Sequence, residues 1–188
     1  MGYDTKTKVY VVKAGEFNAF ALPDNSIFVF DQVLKEVKSY PELAALLGHE
    51  YIHIKNRHGM KTLAHSLSRE LLTAVLTGGD NSDKFISNSN KLLTLKNSRD
   101  FETEADKGGL ELLVQNRIDI NGMTELFKRM EKISEGKNVP AYLSTHPDSE
   151  DRLETIEVEI KDKQNNYVHS DKLDDLFQQL TTFKNSYY

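Results

Sequence analysis

Short apolar stretches near the start of the chain predict a small β-sheet. The run VYVVK at 9–13 is rich in β-branched residues, which is typical of a strand. FNAFAL at 17–22 and SIFVF at 26–30 predict two further strands. The residues PDNS at 23–26 lie between them. Because proline, aspartate and asparagine favour tight turns, the two strands are predicted to form a hairpin.

Beyond the hairpin, the chain repeats its apolar residues at helical spacing, and a first helix is predicted at about 31–38. A second helix begins after Ser39, which stands three residues before Glu42 as in a capping box, with Pro41 in the first turn. The apolar residues of the following run, ELAALLGHEYIHIKN, cover more than one face of this helix. We therefore expect it to be mostly buried.

The second half of the chain is also predicted to be helical. Further helices are predicted at 60–76, at 98–116, at 124–135, from about 149, and at 171–184. The segments 78–90 and 136–149 are polar and carry glycine or proline, so they are predicted to be loops. The last helix is expected to dock on the body of the protein through one apolar face, formed by Leu173, Leu176, Phe177 and Leu180.

Composition narrows the class of protein. The chain has 188 residues, a formal net charge of −5 and no cysteine, which suits one soluble domain without disulfides. No long cluster of lysine and arginine is present, so nucleic acid is not an expected partner. No segment approaches the run of about 20 apolar residues that a membrane helix needs. The N-terminal residues do not form a signal peptide, and a strand follows almost at once, so we expect a piece of a longer protein.

The stretch LGHEYIHIKNRHG at 47–59 carries the most specific chemistry. His49 and His53 are four residues apart, so on a helix their imidazoles point the same way and can approach one ion. Glu50 is placed to touch a water bound to that ion without ligating it. This His-Glu-x-x-His pattern predicts two zinc ligands and a general base. The alternative is a solvated histidine pair on a surface helix, which the flanking apolar residues disfavour.

A catalytic zinc ion needs a third protein ligand besides its water. A histidine six residues after His53 would fall on Gly59, and His58 would point elsewhere on a continuing helix. The later segment SRDFETEAD offers Glu102, with Asp106 placed to accept a hydrogen bond from a ligand histidine. These acidic residues also suit a helix N-terminus without any metal, so the residues alone leave both interpretations open.

Five stretches, FNAFALP, SIFVF, ELAALLGHEYIHIKNRH, SRDFETEAD and LSTHPDSEDR, lie at sensible intervals over roughly residues 9–160. Together they resemble the HtpX / CAAX prenyl protease family of zinc metallopeptidases, in the gluzincin group, and especially its soluble BepA-like and Oma-like branch. The resemblance implies an α+β, mainly helical zincin fold with a small β-sheet beside the zinc-binding helix. It also implies a catalytic domain at 1–160. Residues 161–188 match nothing in the family, and their own periodicity predicts a helical tail docked on the same domain.

The resemblance assigns roles to four residues outside the histidine motif. The family's Glu-x-x-Ala-Asp motif begins at Glu102, which makes Glu102 the third ligand and leaves Glu104 as a bystander. The family's Thr-His-Pro segment and its later arginine fall on His146 and Arg152. His146 is therefore expected near the zinc as a donor to the transition state, aided or oriented by Arg152.

The activity that the resemblance implies is a zinc-dependent endopeptidase with one Zn²⁺ per chain, hydrolysing extended or misfolded polypeptides by metal-activated water. In the resembled family a peptide pairs with the edge strand beside the zinc helix, here expected at Ile27, Phe28, Val29 and Phe30. One alternative is a zinc-containing module that binds client proteins with little or no proteolysis. Another is a zinc hydrolase of small molecules.

Other properties stay open at this stage. A periplasmic or membrane-associated location is expected if the chain is a piece of a longer protein, and a soluble one otherwise. The region between Leu71 and Asn97 carries no diagnostic pattern. In the resembled family it can cover the cleft, so residues 78–97 are candidates for a gate. The natural substrate, its cleavage preference and the oligomeric state are not specified.

Overall fold

A computed structural model describes residues 6–66, 97–135, 141–147, 149–163 and 165–183. Those residues form a small sheet and a larger helical body, as predicted. The strands are β1 (Lys8–Val12), β2 (Ala19–Leu22) and β3 (Ser26–Phe30). The helices are α1 (Asp31–Glu36), α2 (Tyr40–Lys55), α3 (His58–Ser66), α4 (Arg99–Gln115), α5 (Asn121–Glu135), α6 (Ala141–Thr145), α7 (Ser149–Lys161) and α8 (Asp171–Phe183).

The three strands form one sheet in the order β1-β3-β2. The predicted hairpin is confirmed, because β2 runs antiparallel to β3 with Ala19 opposite Val29. The first strand lies parallel to β3, with Lys8 opposite Ser26. The prediction that Ile27–Phe30 forms an edge strand is therefore wrong. Its backbone is paired on both sides. The strand that borders α2 is β2, whose other edge has no strand partner among the described residues.

Helix α2 begins with half of the predicted capping box. The hydroxyl of Ser39 accepts a hydrogen bond from the backbone N–H of Glu42 at 3.4 Å. The Glu42 side chain does not return to the cap, because Arg129 of α5 binds both of its carboxylate oxygens, at 2.7 and 3.0 Å. Glu42 is buried, so this two-pronged ion pair fixes the start of α2 against α5.

Glycine residues allow α4 to lie directly against α2. A Cβ atom at Gly109 would stand 3.2 Å from the backbone nitrogen of His49, and one at Gly48 would stand 3.5 Å from the Cα of Gly109. A Cβ atom at Gly108 would meet the side chain of Ile52 at 2.8 Å. The two backbones therefore approach most closely at Gly109, where an added side chain would crowd the backbone of His49. This contact brings the first half of α4 alongside the His-Glu-x-x-His residues.

Several boundaries differ from the predictions. The helix predicted at 60–76 begins at His58 and is described as far as Ser66, and its remainder lies outside the described residues, as do the loop at 78–90 and most of the candidate gate at 78–97. The predicted loop at 136–149 contains the short helix α6. In α8, Phe177 joins the core, whereas Leu176 and Leu180 are exposed. The described residues therefore cover only part of its predicted docking face.

The contact between the start of α5 and the start of α2 leaves no room for a side chain at Gly122. A Cβ atom there would lie 2.4 Å from the carbonyl carbon of Pro41. Replacing Gly122 with alanine forces the two helices apart, and we expect a loss of about 1–3 kcal/mol in the free energy of unfolding. Urea denaturation followed by circular dichroism measures this change.

Gly59→Ala is the matched control for Gly122→Ala. Among the described residues, the closest atom that a Cβ at Gly59 would meet is in the ring of Pro23, at 3.9 Å. Both glycines lie near a helix start, so the helix propensity gained by alanine is comparable. The control is expected to be neutral or slightly stabilising. Equal stability of the two variants would contradict the close packing at Gly122.

Candidate metal centre

Helix α2 presents three polar side chains in the interior. His49, Glu50 and His53 have exposed fractions of 1%, 0% and 5%. Because the two histidines lie one helical turn apart, their Nε2 atoms converge and stand 2.9 Å from each other. Two imidazole nitrogens aimed at one point are the first half of a metal site.

Helix α4 supplies two carboxylates to the same place. The oxygens of Glu102 lie 3.5 Å from the Nε2 atom of His49 and 3.4 Å from that of His53. Asp106, one turn further along α4, accepts a hydrogen bond from Nδ1 of His49 at 2.8 Å. With Asp106 as the acceptor, Nδ1 of His49 carries a proton, and its Nε2 atom faces Glu102. The Glu102 carboxylate therefore faces the Nε2 atoms of both imidazoles, whereas Asp106 contacts the other ring nitrogen of His49.

His146 follows directly after α6 and completes the cluster. Its Nδ1 atom lies 3.0 Å from Glu102 and 3.3 Å from Nε2 of His49, and its Nε2 atom lies 3.5 Å from a Glu50 oxygen. Its ring stacks on Tyr142 with centroids 4.3 Å apart. The ligand atoms of His146, His49, His53 and Glu102 thus all lie within 4.8 Å of one another, so these four side chains form a group that could hold a metal ion.

Arg152 of α7 lies behind the acidic residues. Its guanidinium binds both oxygens of Asp106, at 2.7 and 2.8 Å, and one oxygen of Glu102 at 2.7 Å. It also lies 3.4 Å from the carbonyl oxygen of His146. These contacts direct Arg152 towards the supporting groups, so its position suits orientation of the carboxylates and of His146.

The pKa values in the cluster follow from burial and from these pairs. Burial alone would lower the pKa of His49, but the hydrogen bonds and charges of Asp106 and Glu102 raise it to about 9. Burial alone would raise the pKa of Asp106, but hydrogen bonds from Arg152 and His49 hold it below its ordinary value. Burial and the neighbouring imidazoles lower the pKa of His53 well below its ordinary value, which favours a free lone pair.

The balance of charge and hydrogen bonds in the cluster fits a divalent metal ion. The carboxyl groups of Glu50, Glu102 and Asp106 are all buried, and Arg152 is the one permanent cation in contact with them among the described residues. Neither oxygen of Glu50 has a hydrogen-bond partner there, although its side chain is fully buried. Such a carboxylate is costly unless water or a cation satisfies it.

A cleft opens from the cluster along strand β2. It is lined by Phe20–Pro23 on one side and by Glu50, His53, Thr145 and His146 on the other. A second hollow of about 400 Å³ continues past the end of β2 towards Arg57 and Met60. In the described part of the chain, both hollows therefore border strand β2 and His53.

His58 belongs to the surroundings of the cluster, contrary to the prediction that it points elsewhere, whereas Glu104, the predicted bystander, contacts His58 and lies outside the group of possible ligands. The prediction assumed a continuous helix, but α2 ends at Lys55 and Arg57 has a positive φ of 55°, so α3 starts in a new direction. His58 is fully buried, and its two ring nitrogens contact His53 at 2.9 Å and Glu104 at 3.0 Å. The signal available in the sequence was Asn56, a residue type that often ends helices.

Comparison with known proteins agrees with this geometry. Mitochondrial metalloendopeptidase OMA1 of Schizosaccharomyces pombe is 34% identical over 187 residues, covering 96% of this chain and 55% of that protein. Mitochondrial metalloendopeptidase OMA1 of Homo sapiens is 30% identical over 164 residues, covering 79% and 31%. Metalloprotease LoiP of Escherichia coli is 27% identical over 161 residues, covering 82% and 62%. The chain thus spans less than two thirds of the length of each of these relatives.

No helix in the described part of the chain combines the length and apolar character needed to cross a bilayer. The profile of Peptidase family M48 matches residues 1–160, which is most of the chain. This match agrees with the mainly helical body, the small sheet and the buried cluster of histidine and glutamate, and it confirms the predicted zincin-type fold. The chain therefore belongs to Peptidase family M48, a family of metallopeptidases.

Proposed function

We propose that this chain is a zinc-dependent endopeptidase that hydrolyses extended or misfolded polypeptides, as in protein quality control. The observation that carries the proposal is the convergence of His49, His53 and Glu102 beside a buried carboxylate, Glu50, without a hydrogen-bond partner among the described residues. The printed names of the relatives, metalloendopeptidase and metalloprotease, support the same activity. Because those relatives are longer, the activity, substrates and partners of the whole protein are part of the proposal.

The proposed metal is one zinc ion per chain, held by His49, His53 and Glu102. Two imidazole nitrogens and one carboxylate oxygen form a ligand set typical of catalytic zinc, which keeps a further position for water or substrate. The chain has no cysteine, so thiolate ligands are excluded. In this assignment Asp106 orients His49, and Arg152 holds Asp106 and Glu102 in place.

The reaction assigned to the site is hydrolysis by water. A bound zinc ion supplies a Lewis acid that favours deprotonation of water and polarises the scissile carbonyl. Glu50 accepts the proton from the attacking water and later delivers it to the departing amine nitrogen. Among the described residues no hydrogen bond to Glu50 is found, and its contact with Nε2 of His146 is 3.5 Å long, so its carboxylate stays available to the attacking water. The same observation disfavours a module that binds clients without cutting them.

His146 is the proposed donor to the oxyanion of the transition state. Its Nε2 atom lies 3.5 Å from a Glu50 oxygen, on the side of the proposed base, and its ring stacks on Tyr142. Arg152 contacts the carbonyl oxygen of His146 and acts as a positioning residue. A donor fixed in advance at this point stabilises negative charge without reorganisation during the reaction.

The proposed substrate site is the free edge of β2. Phe30 donates a backbone hydrogen bond to the carbonyl of Asn18 at 2.9 Å, which sets the alternation of the β2–β3 ladder. Residues one or three positions after Asn18 therefore direct their N–H and C=O groups away from β3. Of these, Ala21 lines the cleft. An extended peptide can pair there through its main chain, which gives low sequence selectivity.

Glu50→Gln and Glu102→Gln are expected to separate catalysis from metal binding. Glu50→Gln removes the proton acceptor, so the variant should retain about one zinc per chain while casein cleavage falls by at least about 100-fold. Glu102→Gln removes the anionic ligand and should lower zinc occupancy and cleavage together. Metal analysis after dialysis and a casein assay measure the two quantities.

Glu111→Gln is the matched control for this pair, because Glu111 lies on α4 with its side chain exposed. It should leave both zinc content and cleavage unchanged. Undiminished turnover in Glu50→Gln would remove Glu50 as the base. Normal zinc affinity in Glu102→Gln would place the third ligand elsewhere.

His146→Phe tests the oxyanion donor. Phenylalanine keeps the stacking on Tyr142 and removes both ring nitrogens, so cleavage should fall by about 100-fold with zinc affinity retained. Zinc affinity is measured by competition with a chelator, and the fold is checked by circular dichroism. A parallel loss of zinc affinity would identify His146 as a ligand instead, and an unchanged rate would leave it without a part in the reaction.

Ala21→Pro tests the β2 edge. Proline removes one outward N–H without removing a bond of the β2–β3 ladder, so cleavage of casein should fall at least about 10-fold while zinc content and stability are retained. Ala21→Ser keeps the N–H at similar volume and should cleave normally. Equal rates for the two variants would show that the substrate does not pair with β2.

A further inference from the structure

The Nδ1 atoms of His49 and His53 contact different kinds of group. Nδ1 of His49 donates to a carboxylate, Asp106, at 2.8 Å. Nδ1 of His53 lies 2.9 Å from another imidazole nitrogen, Nδ1 of His58. Nothing in the His-Glu-x-x-His pattern requires this second pair, because His58 comes after the helix has ended.

The surroundings of His58 fix its ring in one place. Its side chain is fully buried, and it stacks on the ring of Phe101 with centroids 4.4 Å apart and planes at 7°. On the side away from His53, its Nε2 atom lies 3.0 Å from a Glu104 oxygen. Asn56 donates to the same oxygen at 3.2 Å. The imidazole is therefore held by α4 on its flat face and on its outer edge.

The protons on the rings of His53 and His58 can be assigned from the role of His53 as a metal ligand. A histidine that ligates an ion through Nε2 carries its proton on Nδ1 and needs an acceptor there. The facing atom is Nδ1 of His58, which accepts if the proton of His58 is on Nε2. That N–H then points at the carboxylate of Glu104, which accepts it. The N–H group of each ring then has an acceptor, and His58 is neutral.

From this arrangement we propose that His58 is a positioning residue for metal binding: it accepts a hydrogen bond from His53 and holds that ring with its Nε2 atom facing the ion. Glu104 selects the tautomer of His58 that can do so. Because the side chain of Glu104 is 52% exposed, its contribution is smaller than that of the buried pair. This inference rests on the metal site assigned under the proposed function.

His58→Asn and His58→Gln introduce the same amide group, but they are expected to differ in their affinity for zinc. His58→Phe keeps the stacking on Phe101 and removes both nitrogens, so affinity for zinc should fall by about 10–100-fold. His58→Asn places an amide oxygen near the former Nδ1 position, where it can accept from His53, and should restore most of the affinity. His58→Gln carries its amide further out, where it can reach Glu104 but not His53, and should stay as weak as the phenylalanine variant.

The measurements are the dissociation constant for zinc, by competition with a chelator, and the absorption spectrum of the cobalt-loaded protein. The spectrum reports the geometry around the ion, which a purely structural role for His58 would leave unchanged. We expect an altered spectrum in the phenylalanine and glutamine variants and a spectrum like that of the unaltered protein in the asparagine variant. Circular dichroism of the metal-free proteins identifies variants that do not fold.

The outcomes separate this inference from the proposed function. If the unaltered protein binds zinc and all three variants bind it equally well, the positioning role is wrong and the metal site stands. If glutamine restores affinity and asparagine does not, His58 serves as a tether to Glu104 and the inference is also wrong. If the unaltered protein binds neither zinc nor cobalt, the metal site itself fails. Should His58→Phe not fold, the asparagine and glutamine variants alone decide between positioning and tethering.

Discussion

The direct contact between α2 and α4 is the constraint on which the centre depends. The histidines come from one helix and the supporting carboxylates from the other, so the two backbones must lie close for the side chains to converge. Gly48 and Gly109 make this possible, because a Cβ atom at Gly109 would press on the backbone nitrogen of His49. The two helices can therefore pack backbone to backbone where they cross. Because the backbones lie close, the polar side chains of α2 and α4 near the crossing reach one another.

The close packing of α2 against α4 places several acidic groups in the protein interior. The dielectric constant there is low, so unpaired charges are unfavourable. Arg152 offsets part of this unfavourable energy, because it forms ion pairs with both Asp106 and Glu102. It comes from α7, far along the chain from α2, and its guanidinium carbon lies over the ring of Phe127, 4.9 Å from the ring centroid. The electrostatics of the centre thus connect the helix pair to the last part of the region matched by the family profile.

The sequence predicted the centre better than its surroundings, for a physical reason. Spacing along one helix fixes direction, so the positions of His49 and His53 relative to each other follow from the sequence alone. The order of strands in a sheet does not, because a run such as Ile27–Phe30 is equally apolar at an edge or in the middle. The family resemblance supplied His146 and Arg152, which lie beyond any local periodicity. His58 was missed because one residue with positive φ, Arg57, redirects the chain.

The parts of the centre are widely spaced in sequence, from Ala21 on the sheet to Arg152 on α7. Ion binding is therefore linked to the docking of elements that never touch the ion. Any agent that withdraws the ion acts on the folding equilibrium as well as on the chemistry, because the folded state binds it and the unfolded chain does not hold these groups together. Any fragment that carries the centre must therefore contain at least the chain from His49 to Arg152.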